Sequence, residues 1–189
     1  MANRKAILFS APSGSGKTTI IKHLSGHYGC FEFSISATTR SPRDGETDGV
    51  DYYYISYNDF KERVARGEFL EWEEVYPGLC YGTLKSEIER IWNNGHVIVF
   101  DVDVMGGKNL KKYFGDAALS IFVKPPSIEV LEQRLRNRGT ETEESLQKRL
   151  GRAALELQEG ESFDVTVVND DLQTAIQETM RIVDVFLNQ

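Results

Sequence analysis

The stretch Ala6–Thr19, AILFSAPSGSGKTT, decides the fold of this chain. It joins a short apolar run, typical of a buried strand, to a glycine-rich turn that ends in Lys17 and Thr18. A helical pattern of apolar residues follows, and this order of strand, loop and helix is the context that a phosphate-binding loop requires. Ala11 stands where the strict pattern has glycine, which is tolerable if its φ angle is negative.

The loop predicts how a nucleotide would be held. Its glycines let backbone N–H groups converge on phosphate oxygens, and the following helix adds its positive N-terminal end. Lys17 is expected to reach the terminal phosphates, and Thr18 to offer its hydroxyl to Mg²⁺. The predicted nucleotide-binding residues are Ser13, Gly14, Ser15, Gly16, Lys17, Thr18 and Thr19. Switches, ATPases, motors and small-molecule kinases all carry such a loop, so it does not name a function.

The rest of the chain alternates between strand and helix patterns. Short apolar runs rich in β-branched residues predict strands buried on both faces of a parallel sheet. They lie at Ala6–Phe9, Phe31–Ile35, Val97–Val102, Leu119–Val123 and Val165–Val168. Amphipathic helical patterns follow several of them, among them one behind Ser127 and one behind Asp170-Asp171. The alternation predicts an α/β fold with helices flanking a parallel sheet.

One segment, from Ser36 to about Thr83, breaks this alternation. It is rich in Thr, Arg, Gly, Asp and Tyr, and it contains a short helical pattern at Asp59–Arg66 between strand-like runs. We predict a small, strand-rich module inserted into the parallel-sheet core. Its aromatic residues are expected to form a small core of its own.

Composition and charge exclude several classes of protein. The chain has 189 residues, with 22 Lys and Arg against 29 Asp and Glu, a net charge of −7. This acidic balance argues against nucleic-acid binding, which needs a basic face. No apolar run is long enough to span a membrane, and no secretory leader is recognisable. Cys30 and Cys80 are too far apart in sequence for a metal-ligand pair and are expected to be reduced. These features predict a cytoplasmic location.

A second anion site is indicated by the run Ser36–Glu46, SATTRSPRDGE. Its two arginines, Arg40 and Arg43, carry forked guanidinium groups that suit phosphate oxygens. Taken alone, the run could equally be a loop with a surface ion pair. It is followed in order by Gly49-Val50-Asp51-Tyr52-Tyr53, Glu71-Trp72, Tyr81-Gly82-Thr83, Asp101-Val102-Asp103, Arg138-Gly139-Thr140-Glu141 and Val168-Asn169-Asp170-Asp171.

This ordered series resembles guanylate kinase, a family of nucleoside monophosphate kinases, from about Ile7 to the C-terminus. The resemblance implies transfer of the γ-phosphoryl group of ATP to GMP with Mg²⁺, giving ADP and GDP, in purine nucleotide metabolism and GMP recycling. It also implies a phosphate-loop NTPase core at residues 1–35 and 84–189, an inserted GMP-binding domain at 36–83, and a helical lid at about 134–158. The implied partners are ATP and GMP, with dGMP as a further candidate, and the implied oligomeric state is a monomer or a homodimer.

The resemblance also implies roles for individual residues. Lys17, Arg40, Arg138 and Arg149 are the implied catalytic residues, with Arg138 and Arg149 closing over the ATP phosphates. The GMP phosphate would be held by Arg40, Arg43, Tyr52 and Tyr81. The guanine would be read by Ser36, Glu71, Thr83 and Asp103. Asn169 would flank the adenine, and Asp101, at the end of a predicted strand, could support Mg²⁺ through water.

Two departures from the family pattern accompany these roles. Met105 stands where many relatives have Gln, so a side-chain hydrogen bond from that position is lost. The loop Pro77-Gly78-Leu79-Cys80 before Tyr81 is one residue longer than in some relatives.

Three alternatives remain at this level. A guanylate-kinase-like binding module would keep the fold but lose parts of the phosphate loop, which is intact here. Another small-molecule kinase on the same scaffold would not need the base-reading pair Glu71 and Ser36. A nucleotide switch would need a guanine-reading motif on the triphosphate side, and none is found.

Overall fold

The structure is a computed structural model, and it describes residues 4–137 and 142–189. The described residues form nine strands: β1 Ala6–Ser10, β2 Phe31–Phe33, β3 Ala37–Thr38, β4 Tyr53–Tyr54, β5 Phe69–Tyr76, β6 Leu79–Leu84, β7 Val97–Asp101, β8 Ala118–Lys124 and β9 Val165–Val168. They also form seven α-helices: α1 Lys17–His27, α2 Tyr57–Ala65, α3 Lys85–Asn93, α4 Val104–Phe114, α5 Ile128–Asn137, α6 Glu143–Glu159 and α7 Leu172–Leu187.

The contacts divide the described chain into two compact units. The first consists of Arg4 and residues 30–98, and the second of residues 5–29 and 99–189. The predicted inserted segment, 36–83, lies wholly within the first unit. Its boundaries as a GMP-binding domain, and those of the lid, stay predictions.

The second unit is built on parallel strands. Its sheet has the strand order β7-β1-β8-β9, and β8 pairs in parallel with both β1 and β9. All five residues of β1 are buried, because the central strand of a parallel sheet has both faces covered. The predicted α/β class is therefore confirmed. β9 follows β8 as the last strand of this sheet and is partly exposed, and β2 of the first unit is partly exposed as well, so the prediction of burial on both faces was wrong for these two strands.

The first unit contains a four-stranded sheet of order β4-β3-β6-β5. The chain pairs β5 with β6 and β6 with β3 in antiparallel register, whereas β3 and β4 are parallel. A separate core lies against this sheet, as the aromatic content of the segment predicts. Its buried members are Ala37, Phe60, Phe69, Cys80 and Leu84.

One helix has no counterpart among the predictions. α4 begins directly after Asp103, whose side chain caps it by accepting a hydrogen bond of 2.8 Å from the backbone N–H of Gly106. Two consecutive glycines in its first turn weaken the helical signal in the sequence. Gly107 is nevertheless needed there, because a Cβ atom at this position would lie 2.7 Å from the ring of Phe163.

Candidate functional site

The phosphate loop connects β1 to α1 as predicted. It covers residues 11–16, and Lys17 is the first residue of the helix. Gly14 and Gly16 have φ angles of 98° and 89°, which L-amino acids with a side chain rarely adopt. No residue other than glycine has a positive φ angle in the described part of the chain, so Ala11 fits its position without strain.

Asn169 stabilises the loop through a side-chain hydrogen bond to its backbone. Its amide Nδ2 donates a hydrogen bond of 2.7 Å to the carbonyl oxygen of Ser15, and only 4% of Asn169 is exposed. A Cβ atom on Gly16 would lie 2.2 Å from that amide nitrogen, so glycine is required for the close approach. Arg134 in turn donates to the carbonyl oxygen of Asn169 at 2.9 Å. The implied role of Asn169 beside the adenine stays a prediction.

Lys17 points along the loop toward the end of β7. Its ammonium group forms an ion pair with the carboxylate of Asp101 and lies 3.5 Å from the carbonyl oxygen of Val102. The side chain of Lys17 is 17% exposed, so its charge is partly desolvated and its position is restricted. Thr18 follows on the first turn of α1 with its side chain exposed. One cation, the ammonium of Lys17, and two oxygen groups, the carboxylate of Asp101 and the hydroxyl of Thr18, thus lie next to the loop.

A cavity of about 580 Å³ opens over the loop, a size typical of small-molecule sites. Arg149 of α6 reaches the loop, since its Nη1 donates a hydrogen bond of 2.7 Å to Oγ of Ser13. The predicted lid residue Arg138 lies outside the described residues. The cavity is lined by residues 11–19 and 101–103 with Arg149, Arg152 and Glu156.

A second cationic site lies in the first unit, around Arg40. Its guanidinium group forms two hydrogen bonds with the carboxylate of Glu46, at 2.7 and 3.0 Å. Glu46 also accepts from the backbone N–H of Arg43 at 2.7 Å and from the hydroxyl of Tyr54 at 2.8 Å. The hydrogen bonds from Arg40, the largest cause, lower the pKa of Glu46 to about 2. The Ser36–Glu46 run therefore does contain an ion pair, and its carboxylate, from Glu46, binds both the guanidinium of Arg40 and the backbone of Arg43.

Two aromatic rings contact this guanidinium. Its central carbon lies 5.2 Å from the ring of Tyr52 and 5.7 Å from that of Tyr54, within range for cation–π attraction. The ring of Tyr81 packs against Tyr52 at 5.9 Å. The structure thus brings together Arg40, Tyr52 and Tyr81, three of the four residues predicted to hold the GMP phosphate. The fourth, Arg43, lies three positions after Arg40 and is exposed.

The predicted base-reading residues Glu71 and Thr83 face each other on β5 and β6. Oγ1 of Thr83 donates a hydrogen bond of 2.8 Å to the carboxylate of Glu71. The strands approach closely because Gly82 has no side chain; a Cβ there would lie 2.7 Å from the carbonyl oxygen of Glu71. Ser36 belongs to the same unit, and its carbonyl oxygen accepts a hydrogen bond of 2.9 Å from the backbone N–H of Tyr53.

Asp103, the remaining predicted base reader, belongs to the second unit. Besides capping α4, it forms an ion pair of 3.7 Å with Arg152. We did not predict two contacts from the sequence. They are the ion pair of the Glu46 carboxylate with Arg40 and the hydrogen bond of the Asn169 amide to Ser15 of the loop. Glu46 ends the arginine-rich run, so an acid six residues after an arginine was a visible signal. The contact of Asn169 spans 154 positions and has no local signal.

Comparisons with known proteins agree with this geometry. The family model described as guanylate kinase matches residues 3–185. A guanylate kinase from Bacteroides fragilis is 49% identical over 183 residues, covering 97% of this chain and 90% of the relative. One from Salinibacter ruber is 47% identical over 188 residues, covering 100% of each. The crystal structure of guanylate kinase from Anaplasma phagocytophilum has a TM-score of 0.71 at 26% identity, covering 98% of this chain and 87% of that one. With a model match over nearly its whole length and relatives this similar, the chain belongs to the guanylate kinase family.

Proposed function

We propose that this chain transfers the γ-phosphoryl group of ATP to GMP, giving ADP and GDP, and that the two sites described above bind the two nucleotides. One observation supports the assignment of the sites: each compact unit holds its own positioned cation with surrounding polar groups, Lys17 at the loop in one and Arg40 beside the tyrosines in the other. A phosphotransferase with two nucleotide substrates needs two such arrangements. A switch or a motor needs only one.

The donor side is assigned to the phosphate loop. The backbone N–H groups of residues 13–19 surround the phosphates of ATP, and the ammonium of Lys17 neutralises charge on the transferring group. Arg149, which contacts Ser13 at the loop, is placed to add a second cation. Arg138 would add a third, by the resemblance alone.

The acceptor side is assigned to Arg40, Arg43, Tyr52 and Tyr81, which bind the phosphate of GMP. The guanidinium of Arg40 contacts two tyrosine rings and is hydrogen-bonded to Glu46, so its orientation is restricted before the substrate arrives. The tyrosine hydroxyls are additional hydrogen-bond donors. Positioning of this kind removes orientational entropy from the reaction before the chemical step.

Recognition of the guanine base of GMP is assigned to Glu71, Thr83 and Ser36, with Asp103 as a further candidate. Guanine presents two neighbouring donors, N1–H and the 2-amino group, beside the acceptor O6. The carboxylate of Glu71 can accept from both donors in a charge-assisted pair. Adenine lacks the 2-amino group and has a lone pair at N1, so it would offer that carboxylate no donor and would oppose its charge with the lone pair.

The residues near Lys17 fit a magnesium ion that arrives with ATP. Mg²⁺ in such sites takes one or two protein oxygens together with phosphate oxygens and water. The hydroxyl of Thr18 and the carboxylate of Asp101 are oxygen groups of this kind, both beside the loop. No group of three or more His, Cys, Asp or Glu residues suited to a metal occurs within the described residues, in keeping with a metal held largely by its nucleotide. When bound, the ion would neutralise phosphate charge.

The chemistry asks little of the protein beyond placement and charge. An oxygen of the GMP phosphate forms the new bond to the γ-phosphorus of ATP, and the bond to the bridging oxygen of ADP breaks. Because that nucleophile is already an anion, no general base is required. His96, the histidine nearest to a carboxylate among the described residues, contacts Glu32 in the first unit and is assigned no catalytic role.

Other parts of the proposal rest on the sequence alone. We propose a cytoplasmic location and dGMP as a second acceptor, and the lack of nucleic-acid binding stays a prediction from the net charge of −7. Among the described residues, no helix is long and apolar enough to cross a membrane.

The proposal is tested by identifying products. Purified protein is incubated with ATP, GMP and Mg²⁺, and the nucleotides are separated by ion-exchange chromatography. We expect ADP and GDP in equal amounts, and loss of both when EDTA removes the metal. ADP without GDP would show hydrolysis instead of transfer, and the absence of both products would support the alternative of a binding module.

A further inference from the structure

Glu87, at the start of α3, is a buried carboxylate that the proposed function leaves without a role. Only 2% of the residue is exposed, and its acid group accepts four hydrogen bonds from three residues of the first unit. Buried acids are rare in proteins unless they are paired, and each donor around one would be left unsatisfied without it. The partners of this carboxylate therefore show what it holds in place.

Two of the partners lie on either side of Ser36. The backbone N–H of Ile35 donates to Oε1 of Glu87 at 3.0 Å, and the hydroxyl of Tyr53 donates to Oε2 at 2.9 Å. The backbone N–H of Tyr53 donates in turn to the carbonyl oxygen of Ser36 at 2.9 Å. Glu87, Ile35, Ser36 and Tyr53 thus form a closed ring of hydrogen bonds and covalent bonds. The backbone of Ser36 is fixed on both sides by this ring.

The third partner, Arg90, holds the carboxylate itself. Its Nε and Nη2 atoms each donate to Glu87 at 2.9 Å, and its Nη1 forms an ion pair with Glu32. Glu32 also contacts Nδ1 of His96 at 2.5 Å. Burial, the largest influence, would raise the pKa of Glu87, but the bonds from Arg90, Ile35 and Tyr53 outweigh it and lower the pKa. The acid is therefore ionised at neutral pH.

The ring also reaches the phosphate end of the acceptor site. Tyr53 begins β4 and stands in sequence between Tyr52 and Tyr54, whose rings both contact the guanidinium of Arg40. Fixing the hydroxyl of Tyr53 restricts the path of this strand and hence of both neighbours. One carboxylate is thus connected to the base end, through Ser36, and to the phosphate end, through Tyr52 and Tyr54.

We propose that Glu87 is a positioning residue for the acceptor site: by binding the Ile35 N–H and the Tyr53 hydroxyl, it holds Ser36 and Tyr52 where GMP is bound. The inference rests on the proposed function, because it needs those two residues to contact GMP. Glu87 itself does not touch the substrate. Its removal should weaken GMP binding selectively, whereas a purely structural role would lower stability without changing one substrate's affinity.

The test uses two small substitutions and a matched control. Glu87→Gln keeps the shape of the side chain but has only one acceptor oxygen, so the donors that bind the other oxygen, either Ile35 N–H or the Tyr53 hydroxyl together with one Arg90 nitrogen, lose their acceptor. Tyr53→Phe removes a single hydroxyl. Glu89→Gln makes the same chemical change two residues away on α3, at an exposed side chain whose ion pair with Arg4 is 3.5 Å long.

Steady-state constants are measured for each substrate at saturation with the other, together with the midpoint of thermal unfolding. We expect Glu87→Gln and Tyr53→Phe each to raise KM for GMP about tenfold, the effect of losing about one hydrogen bond to a charged group. KM for ATP should stay within about twofold of the unaltered protein, because the phosphate loop belongs to the other unit. Glu89→Gln should leave all constants unchanged.

A double variant adds an independent check. If both residues act through one ring of hydrogen bonds, Tyr53→Phe should raise KM for GMP little further when Glu87→Gln is already present. Unchanged KM for GMP in both folded single variants would overturn the inference, as would equal changes in both KM values. If Glu87→Gln does not fold, Tyr53→Phe decides alone. Failure of the unaltered protein to phosphorylate GMP would instead refute the proposed function, and this inference with it.

Discussion

Replacing Glu71 with glutamine tests how the acceptor base is chosen. In the structure, Oγ1 of Thr83 donates to one carboxylate oxygen of Glu71 at 2.8 Å. Glutamine can keep this bond through its carbonyl oxygen, so the side chain should retain its orientation. The change is then confined to the other carboxylate oxygen of Glu71, which an NH₂ group replaces. That NH₂ donor would face a donor of guanine.

The expected magnitude follows from that single exchange. A hydrogen bond to a charged group contributes about 1.5–3 kcal/mol, and here it is replaced by the opposition of two donors. We therefore expect Glu71→Gln to lower kcat/KM for GMP by about 10²-fold, equivalent to about 3 kcal/mol in the transition state. The ratio of GMP to AMP activity should fall as well, because the lone pair at N1 of adenine would no longer face an anionic oxygen.

The assay couples ADP formation to NADH oxidation, with GMP and AMP varied separately at saturating ATP. Glu62→Gln is the matched control, since Glu62 lies on α2 of the same unit with its side chain 72% exposed. The control should behave as the unaltered protein does. Wild-type GMP activity with an unchanged GMP to AMP ratio in Glu71→Gln would refute the assignment of Glu71 to the base.

Three further predictions concern other contacts. Lys17→Ala should lower turnover by on the order of 10³-fold or more while the protein stays folded, because the charge on the transferring phosphate loses its cation; turnover and circular dichroism check this. Asn169→Ala should lower the midpoint of thermal unfolding and raise KM for ATP, since the buried carbonyl oxygen of Ser15 loses its donor at 2.7 Å. Glu46 has a pKa lowered from 4.5 to about 2, so its stabilising pair with Arg40 is complete above pH 4.5 and is lost as the pH falls toward 2. Urea unfolding of Glu46→Gln should therefore show a shallower loss of stability across that pH range.

Controls and contrary outcomes accompany these three. Lys22→Ala removes an exposed lysine from the same helix as Lys17 and should leave turnover unchanged; Lys17→Ala with activity within about tenfold of the unaltered protein would refute the role of the loop. An Asn169→Ala variant with unaltered stability and unaltered KM for ATP would show that the amide does not support the loop. Equal pH dependence of unfolding with and without the Glu46 carboxylate would mean that its ion pair does not contribute.

The sequence was sufficient where a local pattern carries the chemistry. The alternation of apolar runs with helical patterns predicted the parallel sheet, and the order of apolar strand, glycine loop and Lys17 predicted the place of the loop. The aromatic residues of the inserted segment predicted a separate core, since Phe60 and Phe69 have no partners in the parallel-sheet pattern. Both inferences depend on short-range periodicity and turn chemistry, which neighbouring residues determine.

Apart from the Arg40–Glu46 ion pair, which had a local signal, the contacts that were missed depend on distant residues or on packing. The amide of Asn169 meets Ser15 across 154 positions, and the carboxylate of Glu87 meets the N–H of Ile35 across 52. α4 was overlooked because two glycines weaken its helical signal, and one of them, Gly107, is needed for the approach of Phe163. Such requirements arise only after the chain has folded, so they leave no local pattern in the sequence.

The most direct test of the central claim is a comparison of acceptors. ADP formation from ATP and Mg²⁺ is measured with GMP, AMP, CMP and UMP in turn, at equal concentrations. We expect rapid phosphorylation of GMP and a preference over AMP of roughly 10⁴-fold in kcat/KM, because adenine offers the Glu71 carboxylate neither of the two donors that guanine presents. Comparable rates with all four nucleotides, or no reaction with GMP, would contradict the account.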